Sequence, residues 1–365
     1  MTKELGGNME YKLSVFINNL FFSNKLISKM YSLLNEKDMT DVWIKKSIQN
    51  GHHIELYSHN IADINVLKSF LVSALEDYTP INIEESKLKK QIMSVSSAEH
   101  TEAGLNIQPD GSLLLEEIGT PTEGSSLSSL ETRLVVEKKK MELILYLEKI
   151  GFFNKSEAQQ NILLTKLFLN LGMLFNNNLK MGYLSMKSNI LFFNLQLESL
   201  RDTMSQENYY RYHQLVNSLS LDERTFIYES IEKFLEENKE SYFKIFIENL
   251  YQFFSDELDE GHLFYQNMSD AESFLQWARE SGQLTEFHKN FFTNQDFLTQ
   301  HSSLPFVLYR YTVDVLYQVM PLLNVNPLRK QKITKMVCDK VEIGYGITWE
   351  DSYAMMQKLF KKKVE

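Results

Sequence analysis

Hydrophobic positions recur with two different periods in the first part of the chain. Short runs in which apolar and polar residues alternate are typical of strands, and they are separated by segments whose apolar residues recur at helical spacing. The strand pattern covers residues 11–17, 42–48 and 53–57, and the helical pattern covers residues 24–34 and 63–77. This β-α-β-β-α order predicts a small antiparallel sheet with helices on one side.

Asn50-Gly51 connects the second and third predicted strands. This dipeptide readily adopts the two positive φ angles of a type I′ turn, so it predicts a β-hairpin. Residues 94–129 then lose periodicity and gather Gly, Pro, Ser and Thr, with one strand-like piece at residues 112–118. This stretch is predicted to be either a loop-rich join or an active-site flap.

From Leu130 onward the apolar spacing is helical. Segments 220–223 and 269–272 have the Ser-x-x-Glu form of a helix capping box, and apolar stripes within residues 226–254 predict a shared core. The sequence therefore predicts an α+β fold, with a small antiparallel sheet and flanking helices in the N-terminal part and a predominantly helical C-terminal part. We expect residues 1–130 to form the mixed part with the hairpin, and residues 131–365 to form the mainly helical part that carries the candidate active site.

Composition excludes several classes of protein. A formal net charge of -10 opposes binding to a nucleic-acid backbone, because phosphate contacts need clustered Lys and Arg. The single cysteine, Cys338, excludes an internal disulfide framework and suits the reducing cytosol, and we interpret it as a free buried thiol. No stretch approaches the ~20 apolar residues of a membrane span or the pattern of a signal peptide, so we expect a cytoplasmic protein without a membrane partner.

The motifs that indicate nucleotide or metal chemistry do not occur in the sequence. It contains no Gly-x-x-x-x-Gly-Lys-Ser/Thr loop, no Gly-x-Gly-x-x-Gly turn, no His-Glu-x-x-His and no Gly-x-Ser-x-Gly. His52, His53 and His59 cluster around one predicted strand, where successive side chains alternate between faces, so we interpret them as part of the sheet and not as a metal site. A catalytic triad assembled from distant residues stays open, and the favoured chemistry is acid–base and hydrogen-bond chemistry.

The first candidate site lies between Gly182 and Asn189. If a helix begins near Ser188, that serine can cap it, and the free backbone amides of the first turn can face a bound carbonyl group. Ser185 would then lie close to Ser188, and the two hydroxyls could hold one substrate carbonyl as an oxyanion-type clamp. Spacing alone leaves the alternative open, in which two serines belong to an ordinary helix start.

The second candidate site lies on a predicted helix at residues 304–320, where Arg310, Asp314 and Tyr317 share one strip. In a functional role, Arg310 would grip a peptide carbonyl and Tyr317 would pass a proton, whereas a structural ion pair between Arg310 and Asp314 is the alternative. The cluster at residues 209–213 offers further stacking and proton-transfer groups, although a partly exposed helix face accounts for it equally well; the candidates in it are Tyr212 and His213.

Three stretches, spread over most of the chain, carry a family resemblance. Residues 42–56 contain an aromatic strand, a Gly-x-His turn and an apolar strand, and residues 182–193 contain a Ser-x-x-Ser segment. Residues 316–327, followed by Val341-Glu342, follow the pattern of a helix, a turn and a second helix. Together these stretches resemble the thiopeptide pyridine synthases, which share their fold with the elimination domain of lantibiotic dehydratases.

The resemblance implies an enzyme that joins two dehydroalanines of a dehydrated, azole-containing precursor peptide in a formal 4+2 cycloaddition. Loss of water and of the leader peptide then leaves a pyridine in a macrocycle, and the resemblance implies no cofactor. Ser185 and Ser188 would polarise the amide that becomes an imidic acid, and Tyr183 or Tyr212 would move protons. The residues expected to contact the substrate are Trp43, His53, Lys187, Asn189, His213 and Asp314.

Departures from the family pattern keep two other hypotheses open. Asn189 stands where the family has a histidine, which removes one proton-transfer group. Residues 54–57 lack the arginines with which elimination domains would hold a glutamyl carboxylate, so glutamate elimination to make dehydroalanines is the weaker alternative. The third hypothesis is a noncatalytic scaffold that binds the leader peptide by strand addition to the sheet in residues 1–130. Expected partners are the precursor peptide and either other biosynthetic enzymes or a second copy of the chain.

Overall fold

The chain forms two compact units in this computed structural model, which describes residues 10–99, 104–118, 128–175, 177–263, 284–294, 296–298 and 303–364. The first unit comprises Met1–Phe153 with Pro321–Asn324, and the second comprises Asn154–Met320 with Val325–Glu365. The helix that follows the predicted boundary at residue 130 belongs to the first unit.

A four-stranded antiparallel sheet forms the centre of the first unit. Its strands are β1 (Glu10–Phe16), β2 (Val42–Ser47), β3 (His53–Ser58) and β4 (Leu113–Ile118), and their order across the sheet is β2-β3-β1-β4. Leu13 on β1 lies opposite Leu56 on β3 and Leu115 on β4, and Ile44 on β2 also lies opposite Leu56. The predicted strands and the antiparallel sheet are confirmed.

Four helices flank this sheet: α1 (Leu20–Glu36), α2 (Ile61–Leu75), α3 (Glu85–Glu99) and α4 (Leu130–Lys149). Helix α2 packs against β1 and β3, and α4 packs against β2 and α1. Residues 321–324 are bound to the same unit, because Lys46 Nζ donates to the Pro321 carbonyl at 2.9 Å and Tyr31 Oη donates to the Leu322 carbonyl at 3.1 Å.

The hairpin loop is longer than a two-residue type I′ turn. Asn50 and Gly51 have the expected positive φ angles, 60° and 119°, but the ladder between β2 and β3 ends at the pair Ser47 and His53. The backbone of Asn50 pairs instead with a neighbouring segment, since its N–H donates to the Gly104 carbonyl and its carbonyl accepts from Gln108. These bonds hold the loop open, so the positive φ angles were predicted correctly and the loop length was not.

The second unit is helical in its described part, and the last helix but two ends with Pro321 and Leu322, which belong to the first unit. Its helices are α5 (Glu157–Met173), α6 (Leu179–Gly182), α7 (Leu184–Ser199), α8 (Gln206–Asn217), α9 (Leu221–Tyr228), α10 (Ile231–Glu237), α11 (Tyr242–Asp259), α12 (Glu286–Phe292), α13 (Leu304–Leu322), α14 (Pro327–Tyr345) and α15 (Trp349–Val364). Among the helices that the structure describes, none has the length and apolar content needed to cross a membrane.

Helix α14 is the central packing element of the second unit. It begins at a favourable N-terminus, because the Asn326 side chain accepts from Arg329 N and Pro327 occupies the first turn, and it ends at Gly346 with φ of 60°. It packs against α5, α7, α8 and α9, and Cys338 on it is buried, as predicted. Helix α14 therefore packs against α7 and helps to hold it in place.

The capping box at Ser220 and Glu223 is confirmed, since each side chain bonds to the backbone N–H of the other residue. The second predicted box, at residues 269–272, lies outside the described residues. The apolar stripes that were expected to build a shared core are buried, including Phe226, Phe246 and Leu250. These contacts confirm the predicted helical C-terminal part.

Candidate active site

Helix α7 begins earlier than the sequence pattern indicates. The Asn178 side chain caps α6, and the chain turns at Tyr183 directly into α7. Ser188 therefore lies inside the helix, and the N–H of Lys187 already donates to the Tyr183 carbonyl. The prediction that Ser188 caps a helix with free amides is wrong, because the helix has already started when the chain reaches this serine. Ser185 and Ser188 instead share one helix face, as residues three apart do.

Gly182 brings the backbone of α6 against α5. A Cβ atom at this position would lie 1.8 Å from the carbonyl oxygen of Gly172, so a side chain does not fit. The carbonyl oxygen of Gly182 lies 3.4 Å from Ser185 Oγ and 3.2 Å from Tyr309 Oη, and both hydroxyls can donate to it. The two hydroxyl oxygens are themselves 2.5 Å apart. The Gly182 carbonyl oxygen is thus a shared hydrogen-bond acceptor for Ser185 and Tyr309.

Tyr309 projects from α13 and is 4% exposed. Burial raises the pKa of its hydroxyl well above the usual value, so the group stays protonated and serves as a hydrogen-bond donor at neutral pH. The sequence pattern gave no indication of a role for Tyr309, because its partner Ser185 lies 124 positions away in sequence.

A second coupled pair joins Ser188 to His288 on α12. Ser188 Oγ lies 2.9 Å from His288 Nε2, and His288 Nδ1 lies 2.7 Å from Thr285 Oγ1, the residue that caps α12. His288 is 4% exposed, and burial lowers its pKa, which favours the neutral imidazole. Sequence analysis missed this histidine, since no local motif marks it and its contact with Ser188 spans 100 positions.

Ser185 and Ser188 both line one cavity of about 260 Å³ in the second unit. Its walls are mainly aromatic and aliphatic, and its polar lining comes from the two serines together with Tyr309, Arg310 and Asp314. The aromatic residues that line it are Phe175, Phe287, Phe291, Phe292, Phe297 and Phe306. An apolar cavity with a few convergent polar groups is the usual form of a binding site for a small group.

Arg310 and Asp314 lie on the same face of α13 and both line the cavity. The predicted strip is therefore confirmed for these two residues, whereas no hydrogen bond or ion pair to either side chain is found in the part of the chain that the structure describes. Solvent reaches the Asp314 side chain, yet the surrounding protein atoms raise the pKa of its carboxyl above the usual range, and Arg310 offsets part of this effect. The structural ion pair considered for these residues is not formed.

Tyr183 and Lys187 do not line the cavity. Tyr183 Oη donates to the Glu342 carboxylate at 3.1 Å, and Lys187 Nζ lies 2.7 Å from the same carboxylate, while Ser352 Oγ lies 3.4 Å from Tyr183 Oη. This network joins α7 to α14 and α15. Sequence reasoning gave these residues proton-transfer and substrate-binding roles because they neighbour Ser185, but on a helix adjacent residues face different directions.

Tyr317 is also turned away from the cavity. Its ring packs against Phe168 at 5.8 Å between centroids, and Lys330 Nζ lies 4.4 Å from its ring centre. Tyr212 and His213 lie on α8, where Tyr212 is half-buried and His213 is exposed, and neither lines the cavity. Asn189 is half-buried, and its buried side-chain oxygen has no hydrogen-bond partner among the described residues.

Trp43 and His53 belong to the sheet of the first unit. Trp43 is 2% exposed and stacks on Tyr57 at 5.7 Å between ring centroids. His53 is 7% exposed, and its two ring nitrogens contact the Gly51 carbonyl and the Glu55 carboxylate. The family resemblance implied that both residues contact the substrate, but neither side chain presents a surface to one, because both are buried.

One group of potential metal ligands occurs among the described residues, at the end of α11. Ligand atoms of Glu257, Glu260 and His262 lie within 4.8 Å of one another. The group lies on partly exposed residues and contributes nothing to the cavity lining. Clusters of this kind are common on acidic surfaces, and we assign no role to it.

The fold defined by this sheet and helical unit is that of a thiopeptide pyridine synthase. TbtD, a pyridine synthase from thiomuracin biosynthesis, matches with a TM-score of 0.54 and 13% identity, over 93% of this chain and 99% of its own. TsrL matches with a TM-score of 0.54 and 12% identity, over 93% of this chain and 96% of its own. No protein-family description matches the chain, and no curated protein matches it in sequence. At these identities the likeness shows the fold alone.

Proposed function

We propose that this protein is a pyridine synthase of thiopeptide biosynthesis. Its substrate would be a dehydrated, azole-containing precursor peptide, in which it joins two dehydroalanines and from which it eliminates water and the leader peptide. The observation that carries the proposal is the convergence of two coupled pairs, Ser185 with Tyr309 and Ser188 with His288, on one apolar cavity. The likeness to TbtD along nearly the whole chain supports the same reaction class.

The reaction begins with the conversion of an amide into its unfavourable imidic acid tautomer. The amide that precedes one dehydroalanine must become an imidic acid, with its proton moved from nitrogen to oxygen, so that the C=N and C=C bonds form a 2-azadiene. The hydroxyls of Ser185 and Tyr309 would bind the amide oxygen as it gains the proton. Ser188 would take the nitrogen proton as its own proton passes to the neutral imidazole of His288, and the imidazolium would return a proton through Ser188 to the amide oxygen, so that His288 ends neutral.

Two carbon–carbon bonds then close the ring. The CH₂ carbon of the azadiene bonds to the CH₂ carbon of the second dehydroalanine, and the imidic carbon bonds to the α-carbon of that second residue. Loss of water from the former imidic carbon, and of the leader as an amide from the α-carbon, gives a pyridine without any redox change. Holding the two alkenes in reacting geometry is the largest expected contribution, because pre-orientation of two reactants is worth about 7–11 kcal/mol.

The cavity suits the reacting centre of such a substrate. Its volume of about 260 Å³ lies near the lower end of the ~300–1,000 Å³ typical of ligand pockets, so it would hold the two alkenes and an adjoining ring while the rest of the peptide stays outside. The phenylalanine walls offer faces and edges on which a planar azole ring can stack. An apolar wall also strengthens the hydrogen bonds made inside it.

Incubation with a dehydrated, thiazole-bearing precursor peptide, followed by mass spectrometry, tests the proposal. Separation of the leader from a core that has also lost water is the expected result. Release of glutamate from a glutamylated peptide would instead establish the elimination alternative. A peptide that binds and stays unchanged would establish the scaffold alternative, and either of these outcomes would overturn the proposed reaction.

A further inference from the structure

Five polar side chains line the cavity, and together with His288, which contacts Ser188, they fall into two sets that differ in burial. Tyr309 and His288 are each 4% exposed, and they couple to the two serines. Arg310 is half-buried and Asp314 is exposed, and these two line the cavity without a hydrogen-bond or ion-pair partner in the described part of the chain. The proposed tautomerisation uses only the first set. Arg310 and Asp314 are therefore ionisable groups that solvent can reach and that have no role in the tautomerisation.

The elimination steps need an acid that the first set does not provide. An amide nitrogen leaves only if it is protonated as the carbon–nitrogen bond breaks. Serine hydroxyls are weak acids, and burial raises the pKa of Tyr309, which makes its hydroxyl a weaker acid than an ordinary tyrosine. Burial also keeps His288 neutral. Asp314 is the only carboxylic acid among the described residues that line the cavity.

We infer that Asp314 is the acid–base residue for release of the leader peptide, and that Arg310 binds the carbonyl oxygen of the departing amide. This inference rests on the proposed function and divides its chemistry between two sets of residues. The Asp314 carboxyl gives its proton to the leader amide nitrogen while the bond from that nitrogen to the ring carbon breaks. The carboxylate then removes a proton from the adjacent ring CH₂, and the electron pair of that C–H bond becomes the ring double bond. Asp314 ends protonated, as it began.

The positions of Arg310 and Asp314 agree with their proposed roles in release of the leader peptide. The leader is a long peptide that has to stay outside a cavity of about 260 Å³, so its junction with the ring lies at the solvent-accessible side, where Asp314 is found. Arg310 is four residues away on the same helix face, and its guanidinium can donate two parallel hydrogen bonds to carbonyl oxygens beside the departing nitrogen. Solvent reaches the Asp314 side chain, yet the surrounding protein atoms raise the pKa of its carboxyl, which retains a protonated fraction at higher pH than an ordinary aspartate.

Asp314→Asn tests the inference, because asparagine keeps the shape of the side chain and loses its proton. The ring formed by cycloaddition has the same mass as the linear substrate, but it has lost both alkenes and no longer adds a thiol. Reaction with the precursor peptide should therefore give Asp314→Asn a leader-bearing product, at the substrate mass or lighter by one water, that is resistant to thiol addition. Leader release should slow about 10²–10⁴-fold. Asp314→Glu should restore part of the release.

Folding and site effects are separated by two controls. Asp256→Asn removes an exposed carboxylate on α11 that does not line the cavity, and it should release the leader at the wild-type rate. The melting temperature of Asp314→Asn should not fall below that of the wild type, because the Asp314 side chain makes no hydrogen bond or ion pair in the described part of the chain. If wild type cyclises the peptide and Asp314→Asn releases the leader equally fast, the inference is wrong and the proposed function stands. If Asp314→Asn leaves a thiol-reactive linear peptide, Asp314 serves cyclisation instead. If the wild type forms no ring, the proposed function fails together with the inference.

Discussion

At the scale of single residues, the proposed chemistry depends on serine hydroxyl groups that are each hydrogen-bonded to a second residue. Ser188 has an imidazole 2.9 Å from its oxygen, and Ser185 has a phenol 2.5 Å from its oxygen. A serine in this position can move a proton or polarise a carbonyl, whereas an isolated serine can only accept or donate a weak hydrogen bond. The partners, His288 and Tyr309, therefore matter as much as the serines.

Ser188→Ala should slow ring formation about 10²–10⁴-fold, because the hydroxyl that connects the substrate to His288 is lost. The melting temperature should fall by no more than the loss of one hydrogen bond to His288 explains, since Ser188 caps no helix and is half-buried. Single-turnover loss of thiol-reactive alkenes measures the rate. Ser199→Ala is the matched control, because Ser199 lies on the same helix and bonds only to the Gln196 carbonyl. Equal loss of stability and activity in Ser188→Ala would make this serine structural.

Ring formation should have an acid limb that lies below pH 6.5. Burial lowers the pKa of His288 from 6.5, so the imidazole stays neutral at neutral pH and is protonated only in more acidic solution. The groups that hydrogen-bond to it, Ser188 and Thr285, do not titrate in this range. The rate of alkene loss against pH measures this limb, and His288→Gln should remove it from the residual activity. An unchanged limb in that variant would assign it to another group.

The lowered pKa of His288 also makes the free energy of unfolding depend on pH. Below pH 6.5 the histidine of the unfolded chain binds a proton that the buried His288 does not bind, so the free energy of unfolding should fall as the pH falls through this window. Urea unfolding at several pH values measures the slope. His288→Gln should have a shallower slope than the wild type, and an equal slope would contradict the assignment.

At the scale of secondary-structure elements, the site depends on how closely α6 approaches α5. Gly182→Ala would place a Cβ atom 1.8 Å from a backbone oxygen, which cannot move without shifting a helix. We expect a loss of at least about 3 kcal/mol in the free energy of unfolding, the upper end for overpacking, together with loss of activity. Gly172→Ala is the matched control, because its new Cβ would meet the flexible end of Leu179 at 2.7 Å. Similar losses for both variants in urea unfolding would contradict this packing argument.

The C-terminal end of helix α9 is hydrogen-bonded to a buried lysine of α14. Lys340 is 0% exposed, and its ammonium donates to the carbonyls of Phe226 at 2.7 Å and Glu229 at 2.5 Å. Lys340→Met should lower the free energy of unfolding by about 2–3 kcal/mol, because two buried carbonyls lose a charged donor. Lys335→Met, which breaks only the partly exposed pair with Asp339, should cost about 0–1 kcal/mol. Chemical unfolding measures both, and equal effects would show that Lys340 contributes no more than a surface pair.

Local patterns predicted the elements better than they predicted the site. Alternation and helical spacing are properties of adjacent residues, so the strands, the helices and the capping box at Ser220 followed from the sequence. The start of α7 did not, because Asn178 begins the helical segment before the serines. Ser185 and Ser188 were identified as candidates, but His288 and Tyr309 were not, since their contacts with the serines depend on tertiary packing that no local motif encodes.

At the scale of the whole molecule, the chain shares a fold with TbtD at low sequence identity. The chain matches TbtD over 93% of its length at 13% identity. The position after Ser188, where the family resemblance expects a histidine, holds Asn189, and the imidazole beside Ser188 comes from α12 instead. We interpret this as the same proton-transfer group supplied from another helix, which would keep the chemistry while the sequence diverges.

The state of the leader peptide after the reaction distinguishes pyridine formation from the other proposed activities. Pyridine formation breaks the bond between the leader nitrogen and a ring carbon, so the released leader should end in a carboxamide, and the core should carry an aromatic ring and have lost water. Tandem mass spectrometry of the released leader, after reaction of the wild-type protein with a dehydrated, thiazole-bearing precursor, identifies that terminus. A carboxamide is the predicted result; a leader that ends in a free carboxylate, or that stays attached to the core, would contradict the account.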